Sequence, residues 1–220
     1  MMKSVNDMKS STKFYDGLIA SIEQSQANAP TEASTFFAGE FSQGQLIEFL
    51  KFQAYYERRA AEFIAGWLPH TPEIDIFGML AQQIRDEAVH YQLHMKSLSK
   101  LGVDTIEDYA LEPEWIAWID EWYPTGEDTI ERVAAHNVTG ELGAYKAFEE
   151  VYDLVPKFVQ ETIDRIIPDE KFHMKLGKQC IKKYCVTEDQ QRRVRDRVNR
   201  TLVLQQNART AFNRRMAEAA

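Results

Sequence analysis

The chain contains Asp-Glu-x-x-His twice, in RDEAVHYQLH (Arg85 to His94) and PDEKFHMKLG (Pro168 to Gly177), yet it has only five histidines in all. A glutamate and a histidine three positions apart share one face of a helix. A single such pair is an ordinary surface feature. Two of them restrict the fold to arrangements in which both faces meet water or both meet each other.

Which arrangement applies depends on the pattern around the motifs. Glycine and proline are scarce, β-branched alternation is absent, and apolar residues recur at steps of three and four. That period is helical throughout. It predicts helices over about 11–26, 42–68, 74–101, 128–154, 157–184 and 188–216. The breaker LPHTP separates the second and third helices and Pro156 the fourth and fifth, so each pair reads as an antiparallel hairpin. The aromatic connection EWIAWIDEWYP lies between the hairpins and is long enough to run the length of a bundle. The expected fold is all-α: a four-helix bundle of two hairpins joined by a long crossover, with extra N- and C-terminal helices, in one domain spanning 1–220.

Each bundle helix carries an apolar seam with polar residues at its middle. The seams run Leu50, Gln53, Glu57, Ala60, Ile64; then Leu80, Gln83, Glu87, His90, His94; then Val133, Asn137, Glu141, Ala144, Phe148; then Ile166, Glu170, His173, Gly177, Cys180. Glu57 and Glu87 are 30 positions apart and Glu141 and Glu170 are 29, so antiparallel pairing brings each couple to one height. Four carboxylates in an apolar core repel one another, and each costs several kcal/mol unless it is neutralised. Cations resolve that conflict. Four Glu and two His form a mixed oxygen and nitrogen set suited to iron or manganese rather than zinc. Glu57, Glu87, His90, Glu141, Glu170 and His173 therefore read as one binuclear site, with Glu87 or Glu170 bridging. Glu62, Glu149 and Glu150 fall off the seams.

Composition narrows the partners. The net charge of −8 disfavours nucleic acid as the main one. No apolar run reaches membrane-spanning length, and the N-terminal stretch lacks the apolar core of a signal peptide, so a cytoplasmic protein is expected. Cys180 and Cys185 point in different directions on a helix, which argues against a disulfide. Eight arginines and no lysine lie between Arg192 and Arg215. They form either a solvated face or a dock for an anionic carrier or acidic partner.

The order Glu, Glu-x-x-His, Glu, Glu-x-x-His resembles the ligand pattern of ferritin-like carboxylate di-iron proteins. Size and ligand spacing are similar to those of aldehyde-deformylating oxygenase. A haem-oxygenase-like di-iron frame is a rival that the second Glu-x-x-His fits less well. The resemblance implies two iron ions, or manganese with iron, and dioxygen as co-substrate. It also implies a small organic substrate oxidised by hydroxylation, desaturation, N-oxygenation or carbon–carbon cleavage. An external electron donor and a homodimer are compatible with it. The alternative within the same resemblance is iron handling, as a ferroxidase or peroxide scavenger. Asp86 and Asp169 match the family's Asp-Glu-x-x-His form, in which the aspartate orients a ligand imidazole. Pro168 is expected to kink its helix beside the ligands.

Other residues near the ligands carry weaker signals. His94, His136 and Asn137 read as core polar groups bonded to neighbours, with a third imidazole ligand the alternative for His94. Ala60, Ala61, Gly140, Gly143 and Ala144 allow close helix packing or leave space for dioxygen and substrate. Phe148 and Tyr145 would then line that space, with Tyr145 as a redox-active or hydrogen-bonding group. Trp115, Trp118 and Trp122 form a stripe that packs on the bundle or presents a lid.

Overall fold

The computed structural model of the chain describes residues 5–29 and 40–220. All regular structure in the described residues is helical, and the architecture is an all-α bundle. Helix α1 spans Val5–Ala27, α2 Gln43–Trp67 and α3 Ile74–Ser99. The crossover holds α4, a turn at Pro113–Trp115 that continues into the π-helical Ile116–Trp122. Helix α5 has three segments end to end: Thr129–Val133, the π-helical Ala134–Gly140, and Glu141–Val151. Helix α6 spans Lys157–Tyr184 and α7 Glu188–Glu218.

Local chemistry sets these boundaries. Ser42 opens α2 with a capping box: its hydroxyl accepts from the Gln45 amide, while the Gln45 side chain accepts from the Ser42 amide. Thr187 and Gln190 repeat the device at α7. Pro69 sits in the short turn that closes α2, and Pro156 stands just before α6. Pro168, where a kink was expected, lies inside α6, which continues across it as a single helical run.

Helix α2 packs along α3, α3 against α6, and α6 against α5. Leu50, Ile64, Ile76, Leu80, Ile163 and Ile166 are fully buried between them. The tryptophan stripe packs on the bundle. The Trp115 indole donates to Ala208 O at 3.1 Å and the Trp122 indole to Thr201 Oγ1 at 2.9 Å.

The arginine-rich helix turns much of its charge inward. Arg197 lies over the Trp122 ring, 3.6 Å from its centroid, and donates to Trp122 O. Arg193 pairs with Asp128 and Asp189, Arg209 with Glu150, and Arg215 with Glu48. These arginines fasten α7 to the crossover and bundle, an intramolecular role that neither sequence alternative described. Both cysteines are buried free thiols. Among the described residues no helix is long and apolar enough to cross a membrane.

Candidate metal centre

Four helices deliver one ligand-type group or pair each: Glu57 from α2, Glu87 and His90 from α3, Glu141 from α5, Glu170 and His173 from α6. All six are buried, none more than 3% exposed. They fall into two groups whose candidate ligand atoms lie within 4.8 Å of one another: Glu57, His90 and Glu170, and then Glu87, Glu141 and His173. Each group mixes residues of both motifs.

The oxygens explain the mixing. Glu87 places Oε2 3.4 Å from His90 Nδ1 and Oε1 3.6 Å from His173 Nδ1. Glu170 places Oε1 3.7 Å from His90 Nδ1 and Oε2 3.9 Å from His173 Nδ1. Glu57 approaches only the first imidazole, at 3.7 Å, and Glu141 the second, at 3.8 Å. Two carboxylates thus straddle the two imidazoles, and two flank them on the outside.

Each imidazole has an aspartate behind it. His90 Nε2 meets Asp169 Oδ2 at 3.2 Å, and His173 Nε2 lies 3.6 Å from Asp86 Oδ2. Each aspartate therefore serves the histidine of the other motif. Asp169 precedes Glu170 by one residue, so it is rotated about 100° from the seam, toward neighbouring α3. The inward Nδ1 of both rings has no hydrogen-bond partner, and neither does Glu170 Oε2. Buried polar atoms of this kind normally have partners. Here they converge on the space that a cation would share, so the residues present fit a metal pair.

Charge balance within the cluster carries the same message. Burial pushes the Glu87 and Glu141 carboxyls up, and for Glu141 the neighbouring Glu170 and Glu87 charges add to it. Burial opposes a charge on His90, but the Glu57 and Glu87 carboxylates beside Nδ1 outweigh it and carry the ring to about 12. His173 rises to about 10 against the same penalty, through Glu87, Asp86 and Glu170. The cluster by itself holds protons where cations would otherwise sit.

The sequence did not single out Gln83, which proves central. It is fully buried on α3, and its amide nitrogen donates to Glu87 Oε1 at 2.7 Å and Glu141 Oε1 at 2.6 Å. Its oxygen accepts from Asn137 Nδ2 at 2.7 Å. The available signal was its place on the seam, one turn before Glu87.

The π-helical segment of α5 shapes the second side of the site. A wider turn puts residues five apart on one face, whereas an α-helix would separate them by about 140°. Thr139 accordingly bonds back to Ala134 O at 3.0 Å, and His136 Nδ1 comes within 3.1 Å of Glu141 Oε1. His136 is enclosed by Tyr56, Phe63, Trp67 and Tyr123, and burial lowers it to about 4. His94 is its counterpart beside Glu57, with Nε2 at 3.8 Å, stacked on Phe148 and lowered to about 3 by burial. Read from sequence as hydrogen-bonded core groups, both instead leave their ring nitrogens without hydrogen-bond partners.

A cavity of about 150 Å³ lies beside the cluster between α2, α5 and α7. Gly140, Gly143 and Ala144 line it as the sequence suggested, whereas Ala60, Ala61 and Phe148 do not. Ala60 and Phe148 are buried in the helix packing. Tyr145 departs further from expectation. It is half-buried, with Lys171 5.7 Å from its ring centroid and the nearby Glu149 raising its hydroxyl pKa. The tyrosine in the cavity wall is Tyr56, next to Glu57, with its hydroxyl buried and pushed far up by burial and by Tyr123 and Glu141. No protein-family model matches the chain, and no curated protein matches it in sequence.

Proposed function

We propose that the chain is a binuclear-metal, dioxygen-activating oxidoreductase acting on a small organic molecule, with two iron ions, or manganese with iron, held by the six buried residues. The observation that carries this reading is the placement of Glu87 and Glu170, each with one oxygen toward each imidazole. Glu57 and His90 would complete one coordination set, Glu141 and His173 the other. This ligand order is that of ferritin-like carboxylate proteins. Iron(II) in such a set would supply electrons to dioxygen and so permit oxidation of a nearby substrate.

The chain's own residues do the rest. Asp169 fixes the tautomer of His90, leaving Nδ1 free to face the cluster, and Asp86 is placed to do so for His173. Gln83 holds Glu87 and Glu141 at a set separation. Tyr56, Phe63, Trp67 and Tyr123 keep water from the Glu141 side. The adjoining cavity favours this reading over iron storage, which needs no organic compartment.

Anaerobic titration with iron(II) tests the assignment. Binding should saturate near two equivalents per chain. Glu87→Ala and Glu170→Ala should each lose at least one ion. Glu149→Ala and Glu150→Ala should keep both, since Glu150 pairs with Arg209 on the surface. Full binding by the Glu87 and Glu170 variants would refute the site. Continuous oxidation of many irons per chain, with no organic product, would select the ferroxidase alternative.

A further inference from the structure

We infer that the cavity between α2, α5 and α7 binds an uncharged, single-ring organic molecule with one hydrogen-bonding substituent, as the substrate class of the proposed site. As a substrate assignment this rests on the di-metal reading, but the binding itself does not. Three features of the wall carry it: size, ring surfaces and one unmatched amide.

The volume of about 150 Å³ suits a single ring, since an apolar cavity of this order accommodates benzene. Phe49, Phe52, Trp118 and Phe212 face the space, so an aromatic or alicyclic ring meets ring faces and edges. Among the described residues of the wall the one charged side chain is Arg209, which donates to Glu150 Oε2 at 2.7 Å. A carboxylate ligand would have to displace Glu150, which argues for a neutral molecule.

Gln53 supplies the polar contact. It is only 8% exposed, lines the cavity, and lies one turn before Glu57. Its carboxamide has no hydrogen-bond partner among the described residues, in contrast to Gln83, the equivalent position on α3. The amide opens onto the cavity, where a ligand hydroxyl or amine would bond to it in place of water. Tyr56 Oη, buried without a partner, lies in the same wall. A ring whose substituent reaches Gln53 therefore sits one helical turn from the cluster.

The test uses the full chain, metal-free and iron(II)-loaded, with 4-fluorophenol followed by fluorine NMR and calorimetry. Fluorobenzene, 4-fluorobenzoate and 1-decanol serve as comparisons. Saturable 4-fluorophenol binding is expected in both forms, tighter than for any of the three. A Cβ at Gly143 would meet only Gln205 Nε2, at 3.6 Å, so Gly143→Leu should fill the cavity without forcing the helices apart. It should weaken 4-fluorophenol at least about tenfold, and Gly143→Ala much less. Gln53→Leu should weaken 4-fluorophenol about tenfold and leave fluorobenzene unchanged. Unchanged thermal unfolding and iron(II) stoichiometry would show that the variants are folded. No saturable binding, tighter binding of the benzoate or the alcohol, or indifference to both Gly143→Leu and Gln53→Leu would overturn the proposal. Loss of the two-iron stoichiometry with ring binding intact would refute the metal reading alone, and the reverse result the cavity alone.

Discussion

Replacing Asp169 by Asn should weaken one metal ion and spare the other, and the ion affected should be the one held by the opposite motif. Asp169 Oδ2 lies 3.2 Å from His90 Nε2, so the carboxylate is the group that keeps the His90 proton on its outer nitrogen. Asparagine preserves the shape but can present its NH₂ to that nitrogen and favour the wrong tautomer. Loss of such a partner costs about 10–100-fold in metal affinity, or about 1.4–2.8 kcal/mol. The Asp169 side chain is 38% exposed, which places it at the lower end, near tenfold. Asp86 is only 7% exposed but stands farther from its ring, at 3.6 Å. Its lower local dielectric favours an equal or larger effect on the His173 ion. Anaerobic cobalt(II) titration, read by visible absorption, resolves two binding steps if the affinities separate. A double-mutant cycle assigns them. In a His90→Ala background, Asp169→Asn should have no further effect on the remaining ion, whereas Asp86→Asn should still weaken it. The reasoning fails if Asp169→Asn weakens that remaining ion, or if neither aspartate changes either affinity.

Three shorter predictions rest on other contacts. A Cβ at Gly140 would lie 2.6 Å from Tyr123 Oη, so Gly140→Ala should destabilise the fold by about 1–3 kcal/mol in chemical denaturation. Adding Tyr123→Phe should recover part of that loss, and no recovery would place the strain elsewhere. Because His90, His173, Glu87 and Glu141 are all raised, metal binding near neutral pH should release protons and tighten as pH rises. Calorimetry in buffers of different ionisation enthalpy measures the release, and a count of zero would contradict the charge arrangement. Burial works to raise Asp75, but hydrogen bonds from Lys183, Tyr184 and Gln179 outweigh it and bring the carboxyl to about 2. Its folded-state value is depressed, so its contribution is complete above the unfolded value of about 3.9 and is lost as pH falls toward about 2. The stability gap between the wild type and Asp75→Asn should close over that interval.

The helices were legible because their signals are local. The apolar steps, the breaker LPHTP and Pro156 all act within a few residues of the boundaries they set. The six candidate ligands were legible for a related reason: a carboxylate on an otherwise apolar seam stands out without knowledge of its neighbours. The lines of error share a cause as well. Tyr145 follows Glu141 by four positions, a spacing that puts both on one helical face, but its ring lies near Lys171 and outside the cavity wall. Tyr56 lies one residue off the α2 seam, and only the arrival of Tyr123 and Trp118 from the crossover makes that position interior. Arginine spacing on α7 describes a charged face and says nothing of which acids will meet it. Arg197 reaches Trp122 and Thr125 across more than 70 positions of sequence.

The π-helical turn links the fold to the site more closely than any single ligand does. Added width between Ala134 and Gly140 turns His136 toward Glu141 and sets Asn137 against Gln83. It also places Gly140 where Tyr56 and Tyr123 converge, at a point with no room for a side chain. Asn137 packs so closely on Gly177 that a Cβ there would lie 2.8 Å from the Asn137 carbonyl oxygen. The widened turn is therefore pressed between α6 on one side and the aromatic wall of the cavity on the other. A wide turn is unfavourable in isolation and persists where tertiary contacts hold it. Here those contacts belong to the cluster on one face and the cavity on the other. Any change that relaxed the turn toward an α-helix would rotate Glu141 away from Gln83 and shift the cavity wall together, so the geometry of the carboxylate cluster and the shape of the pocket are coupled through one segment of backbone.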